Sequence, residues 1–158
     1  MAPAVKSLAV QVVAMRHTWP GFEPVAGFAP ASVLWFGDLT GVERSFHLSV
    51  EYGLPLMDHD EPFRRRPVVR VIRPRLVPNF DAEDEAPLPH VYFDLQDLPA
   101  SPLCLFDPRG REWHPGLLIA ATTIPWAEEW LWHYELWEAT GRWHGGGTHA
   151  TMEEMADA

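Results

Sequence analysis

Cysteine and lysine are nearly missing from this chain of 158 residues. A single cysteine, Cys104, excludes an intrachain disulfide, and a reducing compartment, the cytoplasm, is the simpler setting for it. Lys6 is the only lysine, so all the other basic residues are arginine, and side-chain modification of the chain's own amines has one possible address. No run reaches the roughly 18 apolar residues that a membrane-spanning helix needs, which reads as a soluble chain with no membrane partner. Positive charge is also scarce: 12 basic residues against 22 acidic ones leave a net charge of −10. Phosphate backbones are repelled at long range by that balance, so nucleic acid is not an expected partner. Missing too are a Gly-rich phosphate loop, a Cys-x-x-Cys pair and a His-Glu-x-x-His pattern, so no metal and no cofactor are expected.

Proline, in contrast, is abundant at 16 residues, about double ordinary usage, and this breaks the chain into short segments and disfavours a helix bundle. Val5, Leu8, Val12 and Met15 recur at steps of three and four and predict a first helix on one apolar face, ended by Trp19-Pro20-Gly21. A secretory signal is the rival reading of that stretch, but Gln11 interrupts its apolar run and no clear cleavage site follows. Apolar or alternating runs over residues 32–36, 45–52 and 67–72 predict three strands of an antiparallel meander. Residues 76–111 carry prolines at 78, 87, 89, 99, 102 and 108 and predict a long structured loop, with a solvated bulge at Asp81 to Glu85. A closing helix is expected over residues 124–139: Pro125 suits its first turn, Glu128 and Glu129 suit its positive end, and Gly141 is placed to stop it. Its aromatic stripe, Trp126, Trp130, Tyr134 and Trp137, reads as core. The fold class is therefore α+β in one domain over residues 1–147, with Gly145 to Gly147 and a tail over 148–158 read as flexible.

Cys104 is the first candidate for chemistry. Between Leu103, Leu105 and Phe106 it reads equally as a small buried hydrophobe, but it sits in a proline-punctuated loop where a thiol can be presented to a partner. A Cys-His hydrolase is a competing reading, with His90 and His114 lying 14 and 10 residues away. His133, His144 and His149 raise a metal site, though without a recognisable ligand spacing. Arg64, Arg65, Arg66, Arg70, Arg73 and Arg75 form either a solvated strand edge or a docking face for an acidic partner or C-terminal tail, with Arg70 and Arg73 the candidate partner-binding residues.

A leading helix, a short meander, a proline-rich segment with one cysteine, a Trp-Pro pair and a closing helix resemble the ubiquitin-conjugating-enzyme fold. The residues carrying this are Pro89-His90-Val91-Tyr92, Leu103-Cys104-Leu105-Phe106 and Trp113-His114-Pro115. With Pro125-Trp126-Ala127-Glu128-Glu129-Trp130-Leu131, Tyr134-Glu135-Leu136-Trp137, Thr140-Gly141 and Trp143, they look most like the bacterial conjugating enzymes of anti-phage operons, closest to those of short type II CBASS systems. The resemblance is dense over residues 90–147. It implies that Cys104 forms a thioester with the C-terminal carboxylate of a cGAS-like nucleotidyltransferase or ubiquitin-like protein and passes the acyl group to an amine. His90 falls where the family's motif lies, but the asparagine of that motif is missing, which leaves His90 a role in orientation or loop structure. Trp113 and Pro115 become packing residues for the cysteine loop. With no room for an adenylating unit beside this fold, activation is expected from elsewhere. A non-catalytic scaffold holding a partner's tail, and a hydrolase removing a modifier, are the alternatives.

Overall fold

The computed structural model describes residues 3–26, 31–53, 66–107, 110 and 112–145. Helix α1, Leu8–Thr18, begins where the Ser7 side chain accepts the Val10 N–H at 3.2 Å and ends with Arg16 and His17 at the negative end of its dipole. Met15 is fully buried and Leu8 and Val12 are half-buried, as the periodicity predicts, but Val5 precedes the helix and is exposed. Gln11, which looked like an interruption, is completely buried. Its amide nitrogen donates to Leu117 O at 2.8 Å and its oxygen accepts from Ile119 N at 3.0 Å, so a polar side chain ties α1 to the distant segment before the last helix.

The sheet is an antiparallel meander of β1 (Glu23–Ala26), β2 (Ser32–Thr40), β3 (Ser45–Gly53) and β4 (Val68–Arg73) in that spatial order. The expected three strands are present, and β1 is an addition. It is only four residues long and holds Pro24 opposite Trp35, which an edge strand tolerates because one side of its ladder is open. β2 runs on through Gly37-Asp38 to Thr40, past the expected end at residue 36. Gly37 belongs in the strand because the Phe22 ring lies 2.5–2.7 Å from where a Cβ would stand. Val33, Trp35, Leu39, Phe46, Leu48, Val50, Tyr52, Val69 and Val71 alternate into the core.

Helix α2, Thr123–Thr140, exceeds the expected span by one residue at each end and stops at Gly141, whose φ of 73° is the left-handed conformation that favours glycine. Ile124, Ala127, Trp130, Leu131, Tyr134 and Trp137 bury their side chains in the same core as the sheet, and Tyr134 meets Phe46 edge-on at 6.2 Å. Of the expected aromatic stripe, only Trp126 stays partly exposed. The long loop is structured as expected, with Leu76, Leu88, Val91 and Leu103 in the core and a single turn of 3-10 helix at Leu98–Ala100. Asp81, Glu83 and Asp84 are solvated yet anchored: Trp137 Nε1 donates to Asp84 O at 2.7 Å, and Arg142 pairs with Glu83 at 2.7 Å. The tail over residues 148–158, Gly146 and Gly147 lie outside the described residues.

Glu135 of α2 supports the turn between β2 and β3. Its carboxylate accepts the backbone N–H groups of Val42, Glu43 and Arg44 and pairs with the Arg44 guanidinium at 3.0 Å. Burial alone would raise its pKa, but the Arg44 hydrogen bond and the backbone donors outweigh that and lower it. A lowered carboxyl pKa stabilises the fold above the unfolded value near 4.3 and loses that contribution as pH falls through the folded value. Glu135→Ala is therefore expected to cost about 2 kcal/mol in urea unfolding at neutral pH, and less in acid; an equal cost at both would disprove the ionic part.

Candidate active site

Pairing of the segments on either side of the long loop sets the position of Cys104. Leu103 N donates to Val69 O at 2.9 Å, which attaches the segment to β4, while Val91 and Leu103 form an antiparallel bridge. Tyr92 N bonds to Pro102 O at 2.8 Å and Cys104 N to His90 O at 2.8 Å. The same His90 carbonyl accepts the Trp130 indole N–H at 3.0 Å, so one oxygen joins the cysteine's backbone to α2. To present it there, His90 adopts a φ of 40°, a region a non-glycine residue enters at a cost of about 1–3 kcal/mol.

The thiol is not at the surface: Cys104 is 7% exposed. It nevertheless lines a cavity of about 120 Å³, together with His90. Trp126, Trp130 and Trp143 wall that cavity, and Glu129 and His133 of α2 contribute to its lining. The His90 ring stacks on Trp143 at 4.8 Å, with Nε2 3.6 Å from Glu85 Oε1. Gly145 also borders the space, and a Cβ there would come within 2.7 Å of Trp143 Nε1, so the segment after α2 packs tightly against this wall.

Behind the sulfur lies a second group of residues. Cys104 Sγ and the Tyr92 hydroxyl both face Phe106 O, at 3.6 and 3.4 Å, and the Arg66 guanidinium sits 3.9 Å above the Tyr92 ring. Burial pushes the Cys104 thiol above its ordinary pKa; a hydrogen bond from Tyr92 and the positive charge of Arg66 oppose this without overcoming it. Burial also holds Tyr92 in its protonated form, available as a donor to sulfur. A mostly protonated thiol with a donor and a cation at hand can act as a nucleophile only by ionising as it reacts.

Trp113 meets the packing role expected of it, edge-on to Tyr52 at 5.6 Å and stacked on Phe106 at 6.2 Å. Pro115 accepts the Lys6 N–H through its carbonyl at 2.9 Å. Of the candidate residues, Cys104 and His90 come together, whereas Arg70 and Arg73 do not join them. They stand opposite Ser49 and His47 on the side of β4 turned away from Val69 and Val71, and neither lines the cavity. Arg75 pairs with Asp97, and Arg64 and Arg65 lie outside the described residues. His114 accepts from Gly116 N at 3.2 Å and does not line the cavity. Among the described residues no group of three or more His, Cys, Asp or Glu is placed to hold a metal, and His149 lies outside them. No described helix is long and apolar enough to cross a membrane.

Sequence reasoning missed Arg66 with Tyr92, and Glu129 with His133, as parts of the site. The second pair was legible: Trp126, Glu129, Trp130 and His133 follow steps of three, one and three, which place them on one side of a helix. A family profile described as type II CBASS E2 protein matches residues 11–150. No curated protein matches the chain.

Proposed function

The chain belongs to the type II CBASS E2 family, and from that premise we propose that Cys104 is the acyl carrier of a conjugating reaction. The family gives the protein a conjugating-enzyme-like role in anti-phage defence beside other CBASS proteins. In the reaction proposed, the thiol attacks the activated C-terminal carboxylate of a partner protein, forms a thioester, and yields the acyl group to an amine. The partner is a cGAS-like nucleotidyltransferase or a ubiquitin-like protein, and the setting is the cytoplasm. Arg70 and Arg73 dock an acidic surface of that partner, away from the cavity, since arginine forks suit carboxylates.

The observation that carries this reading is the sole thiol lining an indole-walled cavity, with Tyr92 and Arg66 behind the sulfur. A cavity of about 120 Å³ is too small for a drug-sized ligand, which takes roughly 300 Å³ or more, but suits the last residue or two of a narrow peptide tail. His90 acts through its carbonyl, fixing the cysteine against Trp130, rather than as an acid or base.

The thiol's burial favours a second reading, a scaffold that holds the tail without chemistry. One experiment separates the two. Incubated with the nucleotidyltransferase of its operon and a source of activated carboxylate, the protein is expected to give an adduct on a non-reducing gel that thiol reagents cleave and Cys104→Ala lacks. An adduct that persists in Cys104→Ala, or association with no thiol-sensitive bond, overturns the carrier assignment.

A further inference from the structure

Helix α2 carries Glu129 and His133 one turn apart, and both line the cavity that holds Cys104. His133 Nε2 lies 3.6 Å from Glu129 Oε1. Its other nitrogen, Nδ1, is buried and has no hydrogen-bond partner among the described residues. The ring is held in place by Trp143, 5.3 Å away between centroids, and by Gly145, where a Cβ would stand 3.1 Å from His133 Cδ2. A carboxylate at one ring nitrogen and an uncommitted lone pair at the other is the arrangement by which an imidazole takes a proton from a nucleophile. A buried nitrogen without a partner, on a residue that lines the cavity, also calls for an explanation, since such groups are normally paired.

We propose that His133, oriented by Glu129, is the base that takes the proton from the attacking amine when the acyl group leaves Cys104. This rests on the reading of Cys104 as acyl carrier. The amine lone pair attacks the thioester carbonyl carbon, the C–N bond forms, and the C–S bond breaks with its electron pair leaving on sulfur. The proton released by nitrogen goes to His133 and from there to the thiolate, which restores the Cys104 thiol and the free base. The other cavity groups are less suited. His90 is stacked on Trp143 and faces Glu85, and the Glu129 side chain is mostly exposed to solvent; Tyr92, behind the sulfur and outside the cavity lining, stays protonated.

The test uses a synthetic peptide ending in a glycine thioester, which acylates Cys104 by thiol exchange without an adenylating enzyme. The charged protein is then chased with excess lysine and followed by intact mass. For His133→Gln, charging is expected to match the wild type within about twofold while discharge to the amine slows about 100-fold, the usual scale for a lost general base. Added imidazole should restore part of the rate. His133→Phe, which keeps a ring against Trp143, should lose as much, and Glu129→Gln should lose less. The dependence of the discharge rate on pH should also differ between wild type and His133→Gln. The charged or titratable groups facing the site are Glu129 from α2, His90 with Glu85, and Cys104 with Arg66 and Asp107. Equal discharge rates and the same pH profile in wild type and both His133 variants overturn the proposal while leaving the carrier intact. A wild-type protein that holds no peptide on Cys104 overturns the carrier reading, and the base with it.

Discussion

Above about pH 10 the protein is expected to unfold while its three tyrosines are still protonated in the folded state. Tyr52 and Tyr134 are 1% exposed and Tyr92 is 7% exposed. Burial pushes Tyr52 up to about 12. Tyr92 and Tyr134 are pushed higher, again by burial first, with Arg66 or the Val77 N–H opposing it only in part. In the unfolded chain a tyrosine releases its proton near 10. Above that pH the unfolded state binds fewer protons than the folded one, so stability present below pH 10 is lost as pH rises toward the folded values. Each tyrosine contributes a slope of about 1.4 kcal/mol per pH unit, and three together give about 4 kcal/mol. Against a typical stability of about 5–15 kcal/mol, two or three units suffice to unfold the domain. Tyrosinate absorbance and far-ultraviolet circular dichroism should therefore change together, and Tyr52→Phe should remove about a third of the slope. Tyrosines ionising near 10 in a chain that stays folded would contradict the burial.

Trp130→Ala is expected to cost about 3–5 kcal/mol in urea unfolding, the range for truncating a fully packed aromatic. The indole is 3% exposed, stacks on Tyr134 at 5.3 Å and donates to His90 O. The loss reaches beyond packing, because that carbonyl also holds the Cys104 backbone. Alkylation of Cys104 should accelerate in the variant as the cavity wall is removed. Trp130→Phe separates the contributions: it keeps a ring in the core but loses the N–H, and should cost about 1 kcal/mol for the hydrogen bond beyond any lost area. A destabilisation below about 1 kcal/mol for the alanine variant would mean that α2 is not anchored through this residue.

Much of this architecture was legible because local and global signals agree. Pro125 and Gly141 bracket α2, and the alternation of Phe46, Leu48, Val50 and Tyr52 survives intact as the buried side of β3. β1 escaped detection because four residues containing a proline give no periodicity, and their pairing depends on a partner strand some ten positions away. Gln11 shows the opposite case: a polar residue lies inside because two backbone groups more than 100 residues away satisfy it, which no local pattern announces. In the candidate site, order along the chain pointed to Cys104 and His90, and the bond from the Cys104 N–H to the His90 carbonyl brings the two together. The arginine run divides in space in a way its sequence does not announce: strand alternation turns Arg70 away from the core, whereas Arg66, just before Pro67, lies over the Tyr92 ring. That Cys104 lies inside rather than at the surface depends on the walls supplied by Trp126, Trp130 and Trp143, two from a helix and one from the segment beyond it.

Those walls give the molecule an optical reporter of its own. Three of its eight tryptophans border the space beside the sulfur, and indole emission responds to local polarity and to quenching by nearby thiolate or imidazolium. Entry of a tail would thus be visible in the native fluorescence, without a dye and in real time.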